Sequence, residues 1–160
     1  MAETAVAVAS GERSTRWTQV LRHLAAALSP GPRLVVVDGH AHVEGFVDRL
    51  AEAIAAAGHD CVRVTGEHAS DDVDTAPGAQ GIVVVARHQL PPEFAPNAVL
   101  IWLRTRSVEA RVNAEHLAQI VVDLLDPTWP VVRRLDASLA DRDSWYLGET
   151  QAFFAVRAAT

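Results

Sequence analysis

Short aliphatic runs alternate along the chain with longer stretches whose apolar residues recur every three or four positions. Residues 15–28 carry Trp17, Val20, Leu21, Leu24 and Leu28 at helical spacing. Ser14 or Thr15 can cap the start of that helix, and Pro30-Gly31-Pro32 stops it. RLVVVDG, residues 33–39, then reads as a parallel strand covered on both faces, because such strands are continuous rather than alternating in hydrophobicity. A second helix is expected over 44–57, with Phe46, Leu50 and Ile54 inward and Asp48, Arg49 and Glu52 outward. Gly58 is placed to end it in a left-handed conformation.

Further strands are expected at 61–64, 81–86 and 98–103, with a polar loop over 66–80. A long helix is expected over 107–125, turning Val108, Val112, Leu117, Ile120, Val121 and Leu124 inward and ending at Asp126-Pro127. Another helical region follows from Pro130, and a last one over 149–158 buries Phe153 and Phe154. Strand–helix alternation of this kind predicts an α/β fold: three layers, a parallel sheet with helices on both faces. Residues 1–13 read as a flexible N-terminal tail and residues 14–160 as a single domain.

Composition narrows the classes. The 160 residues suit one core, and a hydrophobic content of 49% is that of a globular chain. With 14 basic and 20 acidic residues the net charge is −6, which argues against nucleic-acid and anionic-membrane partners. Cys61 is the only cysteine, so no internal disulfide forms, and a reducing cytoplasm is the expected setting. The N-terminus shows no secretory pattern, and the longest aliphatic runs, 34–37, 82–85 and 99–103, are too short to span a bilayer.

In a doubly wound sheet the ligand crevice opens outside the carboxyl ends of the strands. That singles out residues 38–44, 65–68, 87–89 and 104–106. Within them Asp38, Gly39, His68, Arg87, His88, Arg104 and Arg106 are the expected substrate-binding residues.

A resemblance sharpens the expected fold. Val36-Val-Asp-Gly39, then Phe46-Val-Asp-Arg-Leu-Ala-Glu-Ala-Ile54 and Ala57-Gly-His59, resemble uridine-kinase-like P-loop proteins. Val62-Arg-Val-Thr-Gly-Glu-His68, the strand at 81–86 with Leu90-Pro-Pro-Glu-Phe94, Ile101-Trp-Leu-Arg-Thr-Arg106 and Trp145-Tyr-Leu-Gly-Glu-Thr-Gln-Ala-Phe-Phe154 continue the resemblance in order over most of the chain. It implies a truncated P-loop-NTPase-like domain and puts Glu67 at the place of the family's catalytic carboxylate.

The departures imply lost phosphotransfer. A Walker A loop, G-x-x-x-x-G-K-[ST], cradles phosphates on its amides and neutralises them with its Lys. Counting from Gly39 places Glu44, Gly45 and Phe46 where Gly, Lys and Ser/Thr belong. Aligning on Asp48-Arg49-Leu50 makes the loop about two residues short and still supplies no Lys. After the third strand the family's acidic residue is replaced by Ala86-Arg87.

The string Asp38-Gly-His-Ala-His42 offers other chemistry. Two imidazoles at i, i+2 on an extended segment point the same way and could share Zn²⁺, as in the first segment of amidohydrolase-type enzymes. Their barrel needs about 250 residues, and the third ligand has no evident source here. The alternatives are a solvated loop or a metal-free acid/base site of His40, His42, Glu44 and Glu67.

The leading expectation is a kinase-like frame, needing no metal or cofactor, repurposed to bind a small molecule or to run acid/base chemistry, with a biosynthetic pathway as its setting. Its alternatives are a non-catalytic pseudokinase that engages a partner, a second copy of itself included, and a metal-dependent hydrolase using His40 and His42. Cys61, Trp17 and Trp102 read as core; Trp129, Trp145 and Tyr146 as helix-interface residues. Asp71, Asp72 and Asp74 read as a solvated loop rather than a calcium site.

Overall fold

The computed structural model describes residues 2–29, 33–64, 81–87, 98–105 and 117–139. Six strands form one sheet: β1 (Arg33–Gly39), β2 (Cys61–Val64), β3 (Ile82–Ala86), β4 (Val99–Arg104), β5 (Ile120–Asp123) and β6 (Val131–Leu135). Their order is β2-β3-β1-β4-β5-β6. The first five strands are parallel, and β6 runs antiparallel to β5 with an irregularity between Val121 and Val122. The helices are α1 (Ala2–Leu28) and α2 (Val43–Ala56). The α/β class and the mainly parallel sheet agree with the sequence pattern.

β1 lies between β3 and β4, so it bonds to a neighbour on each edge. Its alternation divides the core. Val35 and Val37 join α1 and α2 in the main cluster, with Leu24, Leu28, Phe46, Leu50 and Ile54. Val36 points to the opposite face with Val64, Val85 and Ala98, and Trp102, Ala118 and Val121 form an adjoining cluster there. Both faces of the sheet are thus buried, as the uninterrupted aliphatic runs imply. α1 and α2 both pack on the first face.

α2 follows its pattern. Phe46, Val47, Leu50 and Ile54 are buried while Asp48, Arg49 and Glu52 are exposed. At its end Gly58 takes φ 84°, and the amides of Gly58 and His59 bond back to Ala55 and Ile54. This is the left-handed stop for which glycine lacks a steric penalty. α1 buries Val20, Leu21, Leu24, Ala25 and Leu28. It is longer than its apolar pattern: residues 2–13, expected as a loose tail, are helical.

Two segments expected to be helical are strands. Residues 120–123, placed inside the helix 107–125, form β5, and residues 131–135, expected as helix after Pro130, form β6. Leu117 and Leu124 flank Ile120-Val121 at spacings that fit a helix, yet Leu117 is 64% exposed. A short apolar run satisfies either period. Here the β-branched Ile120, Val121 and Val122 favour the strand, where their stiff side chains pack well.

The turn joining β5 to β6 is organised by Asp126, whose Oδ1 accepts from the Thr128 amide at 2.8 Å and the Thr128 hydroxyl at 2.7 Å. Those bonds hold its carboxyl below the usual aspartate range. α1 is tied to this turn: Arg16 Nε donates to the Pro130 carbonyl and Trp17 Nε1 to that of Pro127. Arg49 lies 4.5 Å over the Trp17 ring, which also tilts against Phe46.

The expected helix at 149–158 and loop at 66–80 lie outside the described residues, as do Trp145, Tyr146, Asp71, Asp72 and Asp74. Among the described residues no helix is long and apolar enough to cross a membrane.

Replacing Phe46, 1% exposed, with Ala is expected to cost about 3–5 kcal/mol in urea melts. A loss below about 1 kcal/mol would contradict its place at the centre of the α1–α2–sheet core. His23 gives a pH signature. Burial lowers its pKa from the ordinary 6.5, so the unfolded chain takes up the proton more readily. Stability is therefore expected to be retained above pH 6.5 and to fall as pH drops through the lower, folded value. His23→Gln should flatten that limb; an unchanged pH profile contradicts the assignment.

Candidate functional site

The chain connections change direction at the carboxyl end of β1. The connection leaving β1 runs through α2 to β2 on one side, whereas β4 is followed by β5 on the other. A crevice is expected where connections diverge in this way. The strand ends around it carry Asp38 and Gly39 of β1, Arg87 after β3, Arg104 of β4 and Asp123 of β5.

Gly39 has a steric reason to be glycine. A Cβ there would lie 2.8 Å from the Leu103 carbonyl oxygen and 2.9 Å from Leu103 Cβ. The first of these is backbone and cannot swing aside. The strand ends of β1 and β4 therefore approach more closely than any side chain at residue 39 allows, in register with Leu103. The Gly39 amide donates to Asp38 Oδ1 at 2.8 Å. Asp38 pairs in register with Trp102 and shares its side of the sheet by alternation, as does Arg104.

Only His40, Ala41 and His42 connect β1 to α2. His40 meets Trp102 edge-on, with ring centroids 5.8 Å apart. His42 is exposed at the helix N-cap with φ 64° and ψ 8°, and its side chain makes no capping bond. A left-handed conformation is unusual for a residue with a Cβ and marks a tight connection. The extended geometry expected for His40 and His42 is thus not the geometry found. The chain bends through 40–42, so the argument that both rings project the same way for one metal no longer holds. Among the described residues no group of three His, Cys, Asp or Glu is arranged to hold a metal ion.

Glu44 is drawn away from the crevice. It stands in the first turn of α2, and its Oε2 lies 2.9 Å from Arg63 Nη2 on β2. Arg63 Nε is also 2.7 Å from Asp48 Oδ1, an ion-pair distance without hydrogen-bond alignment. Glu44 and Asp48 are like charges one helical turn apart, and Arg63 between them relieves their repulsion. This arrangement fastens α2 to the edge strand.

Asp123 has no place in the sequence expectations, because its segment reads as helix. Its side chain is 6% exposed, and Arg133 Nε and Nη2 both approach its Oδ2 at 2.9 Å. Oδ1 accepts from the Leu125 amide. The charge-assisted contact of one guanidinium with this carboxylate fixes the β5–β6 turn.

The structure thus gathers Asp38, Gly39, His40, Arg87 and Arg104 at the ends of neighbouring strands, with His42 exposed at the helix start and Glu44 turned to β2. Glu67, His68, His88 and Arg106 lie outside the described residues. Cys61 packs against the main core, and burial pushes its thiol pKa up, which disfavours the reactive thiolate. Trp102 is buried as expected; Trp129 is 45% exposed, beside Arg16.

Comparison with known protein families, with curated proteins and with solved structures finds no match to this chain.

Gly39→Ala is expected to lower stability by about 1–3 kcal/mol, the usual cost of overpacking. Chemical denaturation checks it: an alanine variant as stable as the parent contradicts the close approach of β1 and β4.

Proposed function

We propose that this chain is a degenerate relative of uridine-kinase-like P-loop proteins that has lost ATP-dependent phosphotransfer and binds a small molecule at the carboxyl end of β1. One observation carries the reading: three residues join β1 to α2. The β1–loop–α2 unit has the strand–loop–helix order of a P-loop, yet it is about two residues short of the Walker A frame. A loop of that length has too few amides to surround a triphosphate, and no Lys follows it. Glu44 adds a carboxylate to the first helical turn, where a phosphate-binding helix would need the opposite charge.

Central placement of β1 between β3 and β4 supports the P-loop-like assignment over the two common doubly wound orders, 3-2-1-4-5-6 and 2-1-3-4-5. Between binding and acid/base catalysis, the pairing of Glu44 with Arg63 favours binding, because it removes one of the expected proton-transfer groups. A cytoplasmic setting and a small-molecule partner, rather than nucleic acid, accord with the acidic net charge and single cysteine.

A second reading, a non-catalytic interaction protein, draws on Leu125 and Trp129, which are 44% and 45% exposed around the β5–β6 turn.

Calorimetry with ATP–Mg²⁺ tests the proposal. Binding weaker than millimolar, or none, is expected, while a thermal-shift screen of metabolites should return at least one saturable ligand. A micromolar dissociation constant for ATP–Mg²⁺ would falsify the loss of phosphotransfer.

A further inference from the structure

Two arginines flank the end of β1. Arg87 follows Ala86, the register partner of Val37, so it lies about level with Asp38. Arg104 follows Leu103, the partner of Gly39, so it lies about level with His40. Their strands are the two neighbours of β1, which roots the side chains about 12 Å apart, two interstrand spacings across and two residues along. Both residues are partly buried, and neither pairs with a described carboxylate.

The nearest candidate for Arg104 is Asp123, its register partner on β5. That carboxylate is already engaged by Arg133 and the Leu125 amide. Asp38, level with Arg87, accepts the Gly39 amide through one oxygen and leaves the other available. One residue beyond Arg104, the Thr105 hydroxyl is buried and has no hydrogen-bond partner. Buried polar groups in folded proteins are seldom left so, and each exception asks for a reason.

We propose that this strand-end cluster is a recognition site for a small organic anion that also carries a hydroxyl or amine. Arg87 and Arg104 take the carboxylate or phosphate group from either side of β1, as paired guanidinium forks do. Asp38 accepts from the ligand's hydroxyl or amine. With the Asp123–Arg133 pair neutral, Asp38, Arg87 and Arg104 leave a net charge of about +1, which suits an anionic ligand. Arg87 stands after the third strand, where the resemblance would have an acidic residue. The charge there is reversed, from one that attracts a cation to one that takes the anion directly. This inference rests on the small-molecule-binding reading and names its ligand class.

The test is thermal stabilisation at fixed ionic strength by four probes: inorganic phosphate, glycerol phosphate, acetate and malate, each against chloride. At least one should stabilise the parent protein saturably. The phosphate and carboxylate arms identify the headgroup, and a larger effect of glycerol phosphate or malate than of its simple partner supports the role of Asp38. Arg87→Gln and Arg104→Gln should each weaken the apparent affinity about tenfold or more, as expected when a charged hydrogen bond is lost. Arg104→Lys, which keeps the charge but not the fork, should fall between, and so guards against a folding defect in the Gln variant. Arg22→Gln, on the exposed side of α1, should bind as the parent does. Absence of saturable stabilisation by all four probes, or equal affinity in the Arg87 and Arg104 variants, overturns the inference. Micromolar ATP–Mg²⁺ binding refutes the underlying reading instead, so the two failures are distinguishable.

Discussion

β1 is the strand on which the rest of the domain hangs. It is hydrogen-bonded on both edges, to β3 and β4, and its alternate valines feed the two apolar clusters on opposite faces of the sheet. Val35 and Val37 meet the helices, whereas Val36 faces away from them, and all three are wholly buried. The buried middle of such a strand tolerates no polar residue. Its polar groups therefore stand at its ends, Arg33 at the start and Asp38 at the carboxyl end, the latter followed by a glycine that allows β1 and β4 to close together. Position and chemistry are coupled here: burial of the valines leaves only the strand's ends for ionisable side chains.

Between residues 14 and 64 the chain was legible because its elements obey one period each. Phe46, Leu50 and Ile54 could only share the face of a helix, Gly58 could end it, and the aliphatic run before Asp38 could only be a covered strand. Beyond residue 117 the signals conflict. Leu117, Ile120, Val121 and Leu124 satisfy helical spacing, yet Ile120, Val121 and Val122 are consecutive and β-branched. What decided between them was not local. Register with Ile101, Trp102 and Leu103 of β4 gave the run a neighbour on one side, and β6 gave it another. Arg133 bonding to Asp123 then closes the hairpin, a contact between residues that no periodicity argument would connect.

The candidate site was legible in a similar, partial way. Strand ends are predictable once strands are, so Asp38, Gly39, Arg87 and Arg104 could be named from the sequence. The fate of Glu44 could not. Its position within a P-loop-like count puts it near phosphate, but its partner Arg63 lies on β2, and nothing in the spacing of the two residues announces the pair. The same holds for His42, whose left-handed backbone follows from the brevity of the connection rather than from its own preference.

Shortening of that connection and engagement of Glu44 have a common consequence. A long loop between β1 and α2 would hold a ligand above the helix N-terminus, on amides. With three residues there is little room for such a cradle, and the first turn of α2 is instead held to β2 by Arg63, which bridges Glu44 and Asp48. The polar side chains that remain at the crevice are those carried by the strands themselves. By alternation Asp38 and Arg104 share the side of the sheet opposite the helices, alongside Trp102, and His40 contacts that same ring. On the proposed small-molecule reading, recognition would fall to the side chains of the strands rather than to backbone amides. Side chains on rigid strands are well placed for that role, because their backbone is fixed by the ladder before any ligand arrives. On that reading the planar guanidinium fork, pre-shaped for a carboxylate or phosphate, favours the ends of β3 and β4 over the three-residue loop as the place where a ligand is held.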